Sequence, residues 1–576
     1  MSHHDIKGIK IEDSRIADLT QSMDFVVYSG GQNSTYQPFP FNSASNTSLV
    51  ANLQIPSEAI VSDAKVLFQS DLNLTFNLAN VPAGQQCFAL GLTDSLNSFP
   101  LQSLFSTCSL QINNANSSTN YADILPFIKL LEDKNRMEKA DSTSPDYINQ
   151  NWGRYSDAVL TNSNPMASYN ESTFDNTRIP NGAYPYSYYE VRHYIAGVYT
   201  DSSLISTSTS DTWIIYLSYA KLTEPFLCLS PFVNNDYSVA GLLGINNIAL
   251  TLNINQCQKV WATGNSFVNS TGTGLTGYIT NISLGNPQSN NLGFTNSKLL
   301  FNFLTLTDLQ YSKVSTKSVT SYIDYPRYIS PASNSPTLAP NQSGTVSFAN
   351  IQISQIPNLL VFALRVPLSQ QNWCYSDSFM KINSVSITFN NSSGLLSSAN
   401  STQLYTMSVE SGSTQSFYSF NGSATAIQSG SPVIVPTLGS MICINPSKFL
   451  SLNPLLSNSS IGQFNLQINV NVTNNQNFSF APEGVTLCVN AGYMISEIGN
   501  SSFYTAVLDR QLVLETKASD DQDIIVDEEM YKNSVGGKLH KGSASVSKFL
   551  RHTKGGKKHH KQEKHMSKSK LHKLLK

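Results

Sequence analysis

The chain has 576 residues, only 13% of them charged and 40% hydrophobic, and its 36 Lys and Arg nearly balance 38 Asp and Glu for a formal net charge of −2. Asn, Ser, Thr and Gln stand where charges are missing; because they are weak helix formers and Glu/Lys pairs are scarce, a long coiled coil or helical bundle is excluded. The length suits several units, two if they are all-β, and no apolar run reaches the ~20 residues of a membrane span.

Residues 1–45 read as an N-terminal arm with no basic stretch leading into an apolar one, so no cleaved signal peptide is expected. Strict alternation begins at Leu72, Leu74, Phe76 and Leu78, where one face of a strand is buried and the other wet. LFSTCSLQI reads as the next strand. DILPFIKLLEDKNRMEKA follows as one inserted helix, with Asp123 as its cap and Ile124, Phe127, Ile128 and Leu131 on one face. A polar loop rich in Tyr and Asn occupies about 141–185. EVRHYIAGVY, WIIYLSYAKL, the alternating Leu250, Leu252 and Ile254, and KLLFNFLTL are further strands.

A second Pro-containing loop, at about 316–344, reads as a linker. Beyond it LLVFALRV, INSVSITF, QLYTMSV, VTLCVNAGYMI and AVLDRQLVLE read as strands. So does QFNLQINVNVT, whose Phe464, Leu466, Ile468, Val470 and Val472 alternate with Asn465, Gln467, Asn469 and Asn471. Short strands separated by Gly, Pro, Asn and Ser clusters mark sandwiches or barrels.

The second half echoes the first. Leu227 to Pro231 (LCLSP) matches Ile442 to Pro446 (ICINP), and each precedes a Gly and an Asn-rich alternating strand, GINNIALTLNIN from Gly244 and GQFNLQINVNV from Gly462. The offset of about 215 residues suits one β-sandwich. The expected organisation is therefore an arm at 1–45, a first sandwich at 46–315, a second at 316–517 and a tail at 518–576.

Catalytic chemistry finds little support. Of nine histidines only His193 lies in the body, no G-x-S-x-G elbow is present, and His193 sits in a strand-like run. No C-x-x-C or H-E-x-x-H occurs, and the seven cysteines are scattered in hydrophobic runs, which reads as buried free thiols rather than ligands or disulfides. One GxGxxG string, Gly272 to Gly277, lacks the following helix that a dinucleotide site needs and reads as a flexible loop. No carboxylate pair is nominated for glycoside hydrolysis, and Asp520, Asp521, Asp523, Asp527, Glu528 and Glu529 read as a solvated acidic linker. The sixteen Asn-x-Ser/Thr sequons follow from composition. No enzyme, cofactor or metal is expected.

The near-neutral total conceals two polymers. From Lys532 to Lys576 there are 14 Lys and Arg against one acid, Glu563, leaving 22 bases and 37 acids elsewhere, so a body near −15 carries a tail near +13. A disordered arm of this kind suits sequence-independent neutralisation of a polyanion, DNA or RNA. The residues that would carry it are Lys538, Lys541, Lys548, Arg551, Lys554, Lys557, Lys558, Lys561, Lys564, Lys568, Lys570, Lys573 and Lys576. A nuclear localisation signal, a membrane-surface segment and a solubilising tail are the other readings. A low-charge β body with a cationic arm suggests a building block that packs against copies of itself.

FPLQSLFSTCSLQINN before a helix, TEPFLCLSPFVNN followed by GLLGINNIALTLNIN, TQLYTMSVESGS, and GSMICINPSKFLSLN followed by IGQFNLQINVNVTN together resemble the major capsid proteins of double-jelly-roll DNA viruses, the polinton-like, virophage and adintovirus group. The resemblance spans about 95–515. It implies an all-β fold of two tandem eight-stranded jelly rolls, a homotrimeric pseudo-hexagonal capsomer, an icosahedral shell and location in the virion. Production in the host cytoplasm, with nuclear import open, and other capsid proteins such as a penton as partners follow from it. The long basic C-terminus departs from that family's usual picture and points to genome, inner membrane or an inner partner. The alternatives are a β-sandwich carbohydrate-binding or adhesin-type protein, with Tyr184, Tyr186, Tyr188 and Tyr189 in its loops, and a capsid protein of an RNA or small ssDNA virus derived from a single jelly roll.

Overall fold

Alternating sequence becomes alternating burial. In Ser460–Thr473 the side chains of Phe464, Leu466, Ile468, Val470 and Val472 are buried, with Asn and Gln between them facing outward. A slip of one residue would expose all five. At about 1.5–3 kcal/mol per side chain that is roughly 7–15 kcal/mol, comparable to the whole net stability of a domain, so the register is firmly set.

In the computed structural model the described residues are 34–509, except 56–58, 90–93, 133–191, 194–197, 201–202, 209–211, 234–243, 264–265, 288–290, 306–316, 376, 391, 429–430, 451, 453–457, 498 and 506–507. The strands that follow belong to one unit, Ile16–Val507.

Eight principal strands frame the first sandwich, with Ser43–Ala44, Arg192–His193 and Ile279–Leu284 paired at their edges: β1 (Ser34–Pro40), β2 (Ser48–Gln54), β3 (Ala59–Leu78), β4 (Phe105–Ile112), β5 (Ala115–Thr119), β6 (Trp213–Pro225), β7 (Asn247–Ile254) and β8 (Phe294–Thr305). They form two antiparallel sheets of order β1-β8-β3-β6 and β2-β7-β4-β5. Strand β1 lies within the stretch expected as an arm and pairs along β8 from Ser34↔Leu304 to Pro40↔Lys298. Phe68 anchors the core, with the rings of Phe41, Phe105, Phe226 and Phe294 around it.

The second sandwich repeats this order: β9 (Lys317–Asp324, resumed at Arg327–Ser330), β10 (Ser343–Ser347, resumed at Ile351–Gln355), β11 (Leu359–Arg365), β12 (Lys381–Phe389), β13 (Ser392–Leu395), β14 (Ile442–Ile444), β15 (Ser460–Thr473) and β16 (Glu483–Glu497). Its sheets are β9-β16-β11-β14 and β10-β15-β12-β13. The echoed strands β7 and β15 hold the same place in their sheets, which is what a duplicated unit requires.

Three local expectations change. The stretch expected as a linker at 316–344 holds β9, paired with β16 from Lys317↔Glu497 to Asp324↔Asn490. Its polar sequence is accommodated because backbone pairing does not need apolar side chains, while Tyr322 stacks on Phe503 at 4.4 Å and Tyr325, Tyr328 and Ile329 pack against the cores. The helix after β5 is α1, Tyr121–Lys129, with Asn120 as N-cap and Asp123 in its first turn; the expected continuation from 133 lies outside the described residues. QLYTMSV, expected as a strand, is inside a second helix, α2 (Ser401–Glu410). Asn400 and Gln403 close a reciprocal capping box there, which outweighs the weak helix propensity of Thr, Tyr and Val. The two helices occupy the same connection, fifth strand to sixth, in each sandwich.

Candidate functional site

The quoted sequence motifs meet in space. Glu224, fully buried at the end of β6, accepts hydrogen bonds from the backbone N–H groups of Leu101 (2.8 Å) and Gln102 (3.1 Å) and from Gln102 Nε2 (3.1 Å). Gln102 Nε2 also donates to the Pro225 carbonyl, while its Oε1 accepts from Tyr121 Oη and the Leu227 N–H. Tyr121, the first residue of α1, accepts from the N–H of Cys228 at 3.2 Å. In the second sandwich the N–H of Cys443 donates to Ser408 Oγ of α2 at 3.1 Å. In both halves, therefore, a helix hydroxyl receives the N–H of the cysteine in the echoed pentapeptide. A buried N–H left without a partner costs about 1–3 kcal/mol, so α1 is tied there to the segment after β6, and α2 to β14.

Helix α1 also faces the second sandwich. Phe127 stacks on Phe379 at 5.6 Å. Beside them the Asp123 carboxylate meets Arg365 Nη2 at 2.5 Å and Arg327 Nε at 2.7 Å, and Arg365 Nη2 meets Glu483 at 2.8 Å. Lys259 Nζ lies 3.3 Å from Asp377 and 3.0 Å from the Ala122 carbonyl. Asp123 and Lys259 come from the first sandwich, Arg327, Arg365, Asp377 and Glu483 from the second. Three cations and three anions thus close a seam that is neutral overall. Burial pulls the Lys259 ammonium below the ordinary lysine value, and Asp377 offsets part of that pull.

Neutral hydrogen bonds extend the seam. Ser117 Oγ and Tyr322 Oη are 2.8 Å apart, Asn113 Nδ2 donates to Ser501 Oγ at 2.9 Å, and the N–H and hydroxyl of Thr414 both donate to the Leu130 carbonyl. The glycine string expected as a flexible loop is the tip of a hairpin, Ser266–Val268 with Leu275–Gly277, reaching from the first sandwich onto the second. Gly272, at φ +70°, makes the tight turn, and its carbonyl accepts the Ser479 N–H at 2.8 Å. The Leu275 carbonyl accepts from Asn372 Nδ2 at 3.0 Å.

The thirteen basic tail residues, Lys538 to Lys576, lie outside the described residues, as do the loop at 141–185 and the acidic cluster at 520–529. His193 lies in a two-residue edge strand, opposite Ile215. All seven cysteines are free and six are buried, Cys257 being half-buried; burial lifts the Cys108 and Cys228 thiols well above the ordinary value. Among the described residues no group of three His, Cys, Asp or Glu could hold a metal ion, and no helix is long and apolar enough to cross a membrane. Sequence reasoning missed the seam residues Lys259, Arg327, Arg365, Asp377 and Glu483 and gave Asp123 only the role of a helix cap. The signal was present in their scarcity, because a charge inside an apolar strand such as LLVFALR needs a partner.

Two antiparallel sandwiches with one strand order, joined through a buried seam, define the double-jelly-roll class. Comparison with known proteins narrows it. A family model of the Sputnik virophage major capsid protein first domain matches residues 4–304, and one of the major capsid protein V20 C-terminal domain matches 325–492. The chain belongs to the Sputnik virophage major capsid protein family. It is 25% identical over 515 residues to the putative capsid protein V20 of Sputnik virophage, covering 87% of this chain and 79% of that one. Its fold is similar to the chain in the cryo-EM structure of the Sputnik virophage, with a TM-score of 0.68, 22% identity and coverage of 91% of this chain and 98% of that one. The mavirus major capsid protein follows at a TM-score of 0.62, 12% identity and coverage of 88% and 98%. The chain is a structural, non-enzymatic component of a virion capsid.

Proposed function

We propose that three copies of this chain form a capsomer of pseudo-hexagonal outline and that such capsomers tile an icosahedral shell. The observation that carries this reading is the repeated strand order of the two sandwiches across the neutral seam. Each chain then brings two near-equivalent blocks, and a three-fold axis multiplies them to six. In this reading the chain divides into one block at 46–315, completed by β1 (Ser34–Pro40) from the stretch before it, one at 316–517 and a tail at 518–576. A hexagonal tile cannot close the five-fold corners of a shell, so a different protein, a penton, is a required partner. The basic tail, Lys538 to Lys576, faces inward and neutralises DNA, RNA or an anionic inner membrane. The chain is made in the host cytoplasm, and its tail can also serve for nuclear import.

The test is electron microscopy and light scattering of the purified full chain. Particles of hexagonal outline with three times the 63.1 kDa chain mass support the reading. A monomer at high concentration that never forms hexagonal outlines would refute it.

A further inference from the structure

Few large hydrophobic side chains are exposed among the described residues, and most gather in two connections. Phe267 and Val268 stand on the hairpin of the first sandwich. Val409, Phe417, Tyr418 and Ile434 stand on α2 and the segment that links it to β14, with Tyr418 at 68% and Ile434 at 77% exposure. Ile434 belongs to a two-stranded ribbon, Ser423–Gln428 with Ser431–Pro436, that pairs with no other strand among the described residues. A lone ribbon is marginal in water, and an open apolar edge invites pairing with another chain.

Both connections are bonded to one and the same segment, 474–482. Ser479 N–H donates to the Gly272 carbonyl of the hairpin, while Asn475 Nδ2 donates to the Gly422 carbonyl at 3.0 Å and Gln476 Nε2 to the Thr437 carbonyl at 3.1 Å. The hairpin and the segment between α2 and β14 carry no charge: no Asp, Glu, Lys or Arg occurs between Lys259 and Lys298, or between Glu410 and Lys448. Outside the basic tail the chain carries a net negative charge, so copies approach one another at least cost where the loops are neutral.

We infer that the Tyr418/Ile434 patch of one copy docks on the Phe267/Val268 patch of the next, head to tail, and that this contact closes the three-copy ring. Two unlike patches on different sandwiches fit a heterologous interface, which closes by rotation; a two-fold dimer would need only one self-complementary patch. The occupant is a second copy because a capsid chain is surrounded by copies of itself and because both patches lack charge. The inference rests on the trimer reading above and names the contact that reading requires.

The test uses the full chain and the variants Ile434→Asp and Phe267→Asp, with circular dichroism confirming that each keeps the fold. If the parent chain is trimeric, each variant raises the dissociation constant of the trimer at least tenfold. Trimers of unchanged stability in both variants would overturn the inference and leave the trimer standing; a monomeric parent chain would overturn both. A second measurement keeps the geometry open to refutation. With a short bismaleimide, the double variant Phe267→Cys/Ile434→Cys is expected to give covalent trimers that neither single variant gives. Covalent dimers from Ile434→Cys alone would show a two-fold contact and sink the head-to-tail arrangement.

Discussion

Arg365 is the residue on which the seam turns. Its guanidinium is almost fully buried, between Asp123 of α1 and Glu483 of β16, and such a charge persists in the interior only while its partners hold it. Asp123→Ala strips one partner from Arg365 and from Arg327 together. It is expected to cost about 3–5 kcal/mol in urea unfolding, the range for breaking a buried pair. Lys448→Ala, which removes an ion pair of similar length to Glu410, is expected to cost no more than about 0.5 kcal/mol, because both side chains are half in water. Equal losses in the two variants would show that the seam charges are not what joins the sandwiches. The buried thiols give a second residue-scale expectation. Burial pushes Cys443 and Cys488 from 9.0 up to about 12. Between those values the unfolded chain has lost the proton and the folded chain keeps it. Stability contributed by each thiol is therefore full below pH 9 and falls as pH rises toward 12, by about 1.4 kcal/mol per pH unit. Urea midpoints at pH 8 and pH 10.5 should separate accordingly, and Cys443→Ala should narrow the gap.

At the scale of elements, the molecule repeats a bond from helix hydroxyl to cysteine N–H as well as a strand order. Tyr121→Phe and Ser408→Ala each remove the hydroxyl that receives a cysteine N–H, from Cys228 and Cys443 respectively. Each is expected to destabilise by about 1–3 kcal/mol, the cost of an orphaned buried N–H, as read from thermal melts. A large loss in one and none in the other would argue against equivalent helices. Much of this was legible. Alternation placed β3, β7 and β15, and the echo of LCLSP in ICINP pointed to the cysteines that now hold equivalent bonds. What misled was α2. Its Thr, Tyr, Met and Val suit a strand by propensity, yet Asn400-Ser-Thr-Gln403 is a capping box that could have been read in the sequence. The stretch holding β9 misled in the opposite direction, because a polar strand set among prolines declares itself only through its partner β16. The close approach at Gly439, where a Cβ would collide with the Phe379 carbonyl, was equally invisible, since nothing local marks that contact.

At the scale of the whole molecule, charge is distributed by task. The seam cancels its six charges internally, the end loops carry none over long stretches, and the positive excess is concentrated in the last 45 residues. That partition makes the tail separable from the shell-forming body by deletion. Full chain and a chain ending at Asn533 should therefore show the same oligomeric state in light scattering, while only the full chain binds a duplex oligonucleotide of arbitrary sequence. If six to ten of the 14 tail bases meet phosphates, affinity should fall about 10³–10⁵-fold between 50 and 200 mM salt, without regard to sequence. The same assay with vesicles of anionic lipid distinguishes a membrane partner, which binds through the same charges but also through the apolar residues of the terminal KLHKLLK. Undiminished binding after deletion would place the polyanion contact on the body, whose net negative charge makes it the unfavourable site. Lost oligomers after deletion would show that the tail is part of the assembly contact rather than an appendage to it.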